Sequence, residues 1–143
     1  MRLVSVLLLL LSSALALEVP ITIHSVVDGR TLEVLHPGGA ITRVRLAGLD
    51  VARREVLVQL APKGQHGFVV VGGTLPPSNP IMAFVFLCPG FQSCVHTSYN
   101  LNAEVLRYGG AKFLPNFEDA DLRKKLREAQ TEAQKTFRGI WAK

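Results

Sequence analysis

The first third of the chain contains three short runs of β-forming residues, separated by turn signals. Val19–Val27 and Thr31–Leu35 flank an Asp-Gly pair at positions 28–29, which is typical of a tight hairpin turn. A Pro-Gly-Gly turn then precedes Ile41–Leu46, where Val44 and Leu46 alternate with Arg45 and therefore share one face. Three such strands in succession at the start of a small basic domain predict a closed or nearly closed β-barrel.

Further elements are predicted after this meander. Asn100–Tyr108 is predicted as a helix that the Gly109-Gly110 pair ends. The last helix is the clearest, with Asp119 or Asn116 as its cap and one apolar stripe formed by Leu122, Leu126, Ala129, Ala133 and Phe137. Trp141 is predicted to serve as a core plug. The other predicted elements are a short helix at Arg53–Leu60, strands at Phe68–Val71 and Cys94–Tyr99, and a strand buried on both faces at Ile81–Leu87.

The N-terminus has the order of features found in a secretory signal peptide. Arg2 precedes the apolar run Leu3–Leu11, and Ala14-Leu15-Ala16 forms a small-x-small cleavage site. We therefore predict a leader at residues 1–16, a mature domain at residues 17–143, and a secreted protein or one of the secretory pathway. The alternative is an uncleaved signal anchor that tethers the chain to a membrane through residues 3–19, although this run is short against the ~20 residues of a spanning helix.

The net charge indicates which classes of partner suit the chain, and the cysteines indicate the redox state of its cellular compartment. The formal net charge is +5, or +4 without Arg2, which favours anionic partners such as nucleic acid, acidic glycans or lipid headgroups. Cys88 and Cys94 flank a Pro-Gly turn, so a secretory route predicts a disulfide between them. The alternative is a pair of free thiols in a reducing compartment. Neither the cysteines nor the scattered histidines have the spacing of a metal site.

Four segments, in order, resemble motifs of the staphylococcal nuclease family, also called thermonuclease-like. Val26–Thr31 is similar to its V-x-D-G-D-T, and Val44–Asp50 is similar to its R-L-x-G-x-D. Asn102–Lys112 and Leu126–Trp141 are similar to the structural motifs N-x-x-L-V-x-x-G-x-A and L-x-x-A-Q…G-x-W. The resemblance implies an α+β, mainly β fold for residues 17–143: a small, five-stranded OB-fold-type barrel with C-terminal helices.

The resemblance also shows that most of the family's catalytic groups are replaced. The family uses a calcium ion, a general-base Glu and two arginines to hydrolyse phosphodiesters. Arg30 stands at the second Asp of D-G-D-T, Arg53 stands at the general-base Glu, and Pro80 lies at or near the second catalytic Arg. Arg45 and Asp50 keep the family identities as remnants of the catalytic and metal sites. The chain is therefore identified as a catalytically degenerate, eukaryotic-type member.

From these residues we expect a non-catalytic binding module, a pseudo-nuclease without a metal or cofactor. Arg30, Arg45 and Arg53 are expected to converge on a basic cleft with Asp50 as its only certain acid, which suits nucleic acid or another polyanion. Asp28 is interpreted as the residue that closes the hairpin turn. Ion pairing of the arginines with nearby carboxylates would instead leave the cleft inert.

Two other functions remain open at this point. One is an active calcium-dependent endonuclease or phosphodiesterase with rearranged ligands, in which Glu55 replaces the missing general base. The other is a structural domain whose surface outside the cleft binds a protein partner. Carboxylates converging within reach of a metal would favour the enzyme, and arginines filling the cleft would favour the binding module.

Overall fold

The computed structural model describes residues 17–71, 80–89 and 98–143. The predicted leader at residues 1–16 and Cys94 lie outside these ranges. Residues 17–19, which the alternative anchor would include, belong to the first strand. The strands are β1 (Leu17–Asp28), β2 (Thr31–Leu35), β3 (Ile41–Leu46), β4 (Leu49–Asp50), β5 (His66–Val71), β6 (Ile81–Leu87), β7 (Tyr99–Asn100) and β8 (Lys112–Phe113). The helices are α1 (Arg54–Leu60), α2 (Leu101–Arg107), α3 (Ala120–Lys135) and a 3-10 turn at Gly139–Trp141.

Five strands form a closed barrel in the order β3-β2-β1-β5-β6. Neighbouring strands are antiparallel except at the closure, where β3 pairs in parallel with β6 through Val44↔Ile81, Arg45↔Met82 and Leu46↔Ala83. A sheet that closes on itself leaves its barrel strands without free edges. The predicted fold class is confirmed: a small α+β, OB-type barrel with helices, of which α1 lies between barrel strands and the others follow them.

Asn102 holds the barrel closure to α2. Its side-chain amide donates to the carbonyls of Ala47 (2.8 Å) and Ala83 (3.1 Å), and its Oδ1 accepts from the backbone N–H of Val85 (3.1 Å). The residue is completely buried, so these bonds satisfy polar groups that water does not reach. Asn100 caps α2, since its Oδ1 accepts from Ala103 N at 3.2 Å.

The last helix packs on the barrel as its stripe predicts. Asp119 caps α3 by accepting from Leu122 N at 3.0 Å, and Leu126, Ala129 and Ala133 are buried. Leu126 lies against Gly48, whose φ of +83° and lack of a side chain let the helix approach the chain just before β4. The residues Lys124, Glu128 and Lys135 are exposed on the opposite face.

Two residues near the C-terminus differ from the prediction. Phe137 was expected in the buried stripe, but α3 ends at Lys135 and Phe137 is 50% exposed with a φ of +54°. A helical period does not continue past the last helical residue, so Phe137 leaves the stripe. Trp141 is half-buried in the 3-10 turn and not fully enclosed in the core.

Two strands predicted in the second half of the barrel, β5 and β6, are present, but one face of β6 is more exposed than predicted. β6 has the predicted bounds, with Ala83, Val85 and Leu87 buried, but Met82 on its outer face is 36% exposed. The expectation of burial on both faces is therefore wrong at this end of the strand, although Phe84 on the same face is 5% exposed. Cys88 is buried directly after β6, and the disulfide to Cys94 stays a prediction because Cys94 lies outside the described residues.

Candidate functional site

A small open cleft lies where the β1–β2 turn faces the loop that follows β4. It has a volume of about 330 Å³ and is lined by Asp28, Gly29, Arg30, Asp50, Val51 and Ala52. Two of the sequence-predicted site residues, Arg30 and Asp50, therefore meet here. The cleft also contains a second acid, Asp28.

The turn side of the cleft depends on a close approach between two backbones. A Cβ on Gly29 would overlap the backbone of Ala52 and lie 2.8 Å from its Cβ, so only glycine lets the turn come this near. Asp28 Oδ1 accepts from the backbone N–H of Arg30 at 2.9 Å, which closes the turn through the side chain. The predicted turn role of Asp28 is confirmed, and the same residue also faces the cleft.

The other side of the cleft is fixed at both ends of its loop. β4 pairs with β8 through Asp50↔Lys112, and the backbone N–H of Arg53 donates to the carbonyl of Gly110 at 2.7 Å. Between these points Val51 has a φ of +49° and is 59% exposed, and its N–H donates to Asp50 Oδ1 at 2.9 Å. A β-branched residue in this conformation is strained, so the surrounding contacts must hold the loop in place.

Arg30 lies between the two cleft acids. Its backbone binds Asp28, and its Nη1 lies 3.9 Å from Asp50 Oδ1. The Arg30 and Asp50 side chains are 37% and 51% exposed, so water screens this ion pair and it contributes little to stability. Arg30 therefore remains available to a stronger anion than one distant carboxylate.

The environment of Asp28 favours its charged form. Partial burial raises the pKa of the carboxyl, but the backbone N–H of Arg30, the nearby Thr31 hydroxyl and the charges of Arg30 and Arg45 together lower it below its ordinary value of 3.8. Asp28 is therefore an ionised carboxylate at neutral pH. It is not a proton donor or a base poised for catalysis near pH 7.

Arg45 lies on β3, outside the residues that line the cleft. It pairs across the sheet with Thr31 on one side and Met82 on the other, and its charge acts on Asp28. Its Nε is buried and has no hydrogen-bond partner within the described part of the chain. A buried guanidinium nitrogen without an acceptor is costly, and a water or a ligand oxygen at this position would remove that cost.

The remaining predicted residues lie away from the cleft lining. Arg53 is exposed at the start of α1 and is absent from the residues that surround the cleft. Glu55 is exposed in the first turn of α1, and in the described ranges it makes no ion pair with a cleft residue. Asp28 also lines the cleft, so Asp50 has a second acid beside it. The Asp-Gly motif predicts a turn and nothing more. The place of Asp28 in the cleft lining follows from the close approach of Ala52, which the motif does not show.

A calcium ion does not fit these residues. Calcium takes six to eight oxygen ligands, whereas the cleft offers two carboxylates with a guanidinium group 3.9 Å from one of them. Across residues 17–71, 80–89 and 98–143, no three His, Cys, Asp or Glu side chains are placed together to hold a metal ion. None of the helices in these ranges has the length and apolar content needed to span a bilayer.

No protein-family model matches the chain, and no curated protein matches it. The resemblance to the staphylococcal nuclease family therefore rests on the four sequence segments alone.

Proposed function

We propose that this chain is a non-catalytic, nuclease-like binding module that binds an anionic ligand at the cleft through Arg30 and Arg45. The ligand class is nucleic acid or another phosphate-bearing partner. The observation that carries the proposal is the position of Arg30, whose backbone N–H binds Asp28 and whose Nη1 lies 3.9 Å from Asp50 Oδ1.

This position argues against metal-dependent hydrolysis. At about 4 Å and a protein-surface dielectric, two like unit charges repel by roughly 4 kcal/mol, and a divalent ion doubles this cost. Arg53 stands at the position of the family's general base, and Glu55 lies on an exposed helical turn outside the cleft lining. A base must lie within hydrogen-bond reach of the attacking water, and neither Arg53 nor the exposed Glu55 lines the cleft.

The same residues support weak binding of a phosphate group. Among the described residues, Arg30 makes a long, screened contact with Asp50, and Arg45 has a buried Nε without an acceptor. A phosphate accepts two hydrogen bonds from one guanidinium fork, which a carboxylate 3.9 Å away does not match. Asp28 and Asp50 oppose the anion, so we expect modest affinity with a marked dependence on salt. A longer polyanion also passes the exposed Arg53 at the end of the loop.

The test is binding of a short single-stranded oligonucleotide at low and high salt. We compare the wild type with an Arg30→Gln, Arg53→Gln variant and with a control, Arg43→Gln, Arg127→Gln, which removes the same charge from exposed residues elsewhere. We expect the wild type and control to bind alike and the first variant to bind about five- to tenfold more weakly. Equal binding by all three would refute the cleft as the binding site.

A nuclease assay separates this proposal from the enzymatic alternative. Incubation of plasmid DNA and of RNA with the protein and calcium should give no product above the level of a no-protein control. Calcium-dependent product that disappears in an Asp28→Asn, Asp50→Asn variant would show that the two cleft acids hold a metal. That result would replace the binding module by a phosphodiester hydrolase.

The proposal also places the chain in the secretory pathway, with residues 1–16 as a cleaved leader or a retained anchor. Cys88 lies buried at the end of β6, within a short turn of Cys94 in the sequence, so oxidation would link the two. Mass spectrometry of protein expressed with its leader should give a mature chain that begins at Leu17. Peptide mapping without reduction should recover Cys88 joined to Cys94. A free thiol at both positions in secreted protein would contradict the predicted disulfide.

A further inference from the structure

The C-terminal turn and the turn after α2 form one continuous surface. Their backbones touch, since Ile140 N donates to the carbonyl of Gly109 at 2.9 Å and a Cβ on Gly109 would lie 3.0 Å from Gly139 Cα. Aromatic and basic side chains project from these two segments. We call them the aromatic–basic surface, formed by Tyr108, Lys112, Phe137, Arg138, Trp141 and Lys143.

Each aromatic ring of this surface lies beneath a cation. Arg138 is 5.9 Å from the centre of the Tyr108 ring, Lys112 is 5.8 Å from that of Trp141, and Lys143 is 4.3 Å from that of Phe137. Significant cation–π pairs occur roughly once per 70–80 residues, so three pairs within these two short segments are more than the average frequency predicts. Among the described residues, none of these three cations has a carboxylate within ion-pair distance. The surface is thus aromatic and carries unneutralised positive charge.

Phe137 is held in a conformation that core packing does not explain. Arg138 N donates to the carbonyl of Ala133 at 3.0 Å, which places Phe137 at the left-handed position that glycine usually occupies after a helix. A phenylalanine is unfavourable there, and its ring is 50% exposed. Strain and exposure together indicate that the side chain serves a contact outside the folded chain.

We propose that the aromatic–basic surface docks onto an anionic lipid bilayer. Aromatic rings flanked by lysine and arginine are the combination that settles at the boundary between headgroups and acyl chains. One weak membrane signal gives only marginal attachment, so we expect reversible binding that depends on anionic lipid. This surface shares no residue with the cleft lining, although its Lys112 pairs with Asp50 across β4 and β8, and the proposal does not depend on the function proposed for the cleft.

Trp141 provides a direct readout, because it is the only tryptophan of the chain. The full chain is mixed with vesicles of phosphatidylcholine alone and with vesicles containing about 30% phosphatidylserine, with brominated acyl chains in each as quenchers. We expect Trp141 fluorescence to be quenched in the anionic vesicles, and the quenching to fall at high salt. Attachment through the leader alone would leave Trp141 unquenched in both vesicle types.

Two matched double variants are compared. The first combines Phe137→Gly with Lys143→Gln on this surface, and the barrel variant combines Ile41→Ser with Arg43→Gln. Each removes one exposed apolar residue and one charge. Glycine suits the left-handed backbone at position 137, so the first variant should fold at least as stably as the wild type. We expect it to need about tenfold more anionic lipid for half-maximal quenching, and the barrel variant to behave as the wild type. Equal behaviour of both variants, or quenching by a single-stranded oligonucleotide in place of vesicles, would overturn the proposal.

Discussion

Replacing Gly48 by alanine tests how closely α3 packs on the chain that leads to Asp50. Gly48 has a φ of +83°, and a Cβ there would overlap Cδ2 of Leu126 and lie 3.0 Å from Cε1 of Phe117. The left-handed backbone costs a residue with a Cβ about 1–2 kcal/mol, and the overpacking adds about 1–3 kcal/mol. We therefore expect Gly48→Ala to lower the free energy of unfolding by about 2–5 kcal/mol.

A double-mutant cycle isolates the contact from the backbone cost. Leu126 is fully buried, so Leu126→Ala alone should cost about 2–5 kcal/mol through the cavity it leaves. In the combined variant the added methyl at position 48 enters that space, and the overpacking disappears. The two changes should therefore be coupled by about 1–3 kcal/mol, and the combination should be more stable than their sum.

The assay is urea denaturation followed by far-ultraviolet circular dichroism, with Gly39→Ala as the matched control. Gly39 has a φ of +94° and no atom near its missing side chain, so this change carries the backbone cost without a clash. When Gly39→Ala is combined with Leu126→Ala, the two losses in free energy of unfolding should be additive. Additive behaviour of the Gly48 pair as well, or equal costs for Gly48→Ala and Gly39→Ala, would refute the packing of α3 described here.

Three further changes follow from the cleft and the barrel closure. Arg30→Asp places three acids together with Asp28 and Asp50, so calorimetry should detect calcium binding that the wild type and Arg30→Gln lack. Asp28→Asn should destabilise the fold at neutral pH, because the pKa of the Asp28 carboxyl is lowered in the folded protein. The difference in free energy of unfolding between wild type and variant should be present above pH 3.8, the ordinary pKa, and should be lost as the pH falls through the lowered pKa. Urea titrations over a pH series would show this. Asn102→Ala removes three buried hydrogen bonds and should cost about 3 kcal/mol or more by thermal denaturation, whereas a loss below about 1 kcal/mol would contradict the bonds described.

Elements with a strong periodic signal were predictable from the sequence. The bounds of β2, β3 and β6 agree with the prediction because alternation, or an apolar run between turns, marks a strand directly. The pairing of β4 with β8 was not predicted, since strands of two residues carry no period. Phe137 was misplaced because its spacing from Ala133 suits a helical stripe, while the end of the helix depends on a backbone conformation that spacing does not reveal.

The candidate site was predictable only where its residues belong to turns with a local signal. Arg30 and Asp50 meet in the cleft because the hairpin turn and the segment after β3 have clear sequence markers. The second acid, Asp28, enters through the approach of Gly29 to Ala52, a contact between segments distant in the sequence. Arg53 lies in an irregular connection, where no period fixes the direction of a side chain.

The parallel closure of the barrel has a consequence for the order of folding. β3 meets β2 through a short turn, but it meets β6 only after the intervening chain has returned, so the closing pairs are the slowest to form. Asn102 completes this closure from α2, and its contacts therefore belong late on the folding route. Until α2 docks, the outer edges of β3 and β6 remain open to strands of other chains. Changes at Asn102 should accordingly accelerate unfolding and leave the folding rate nearly unchanged, and they should lengthen the time in which the half-closed barrel is prone to aggregate.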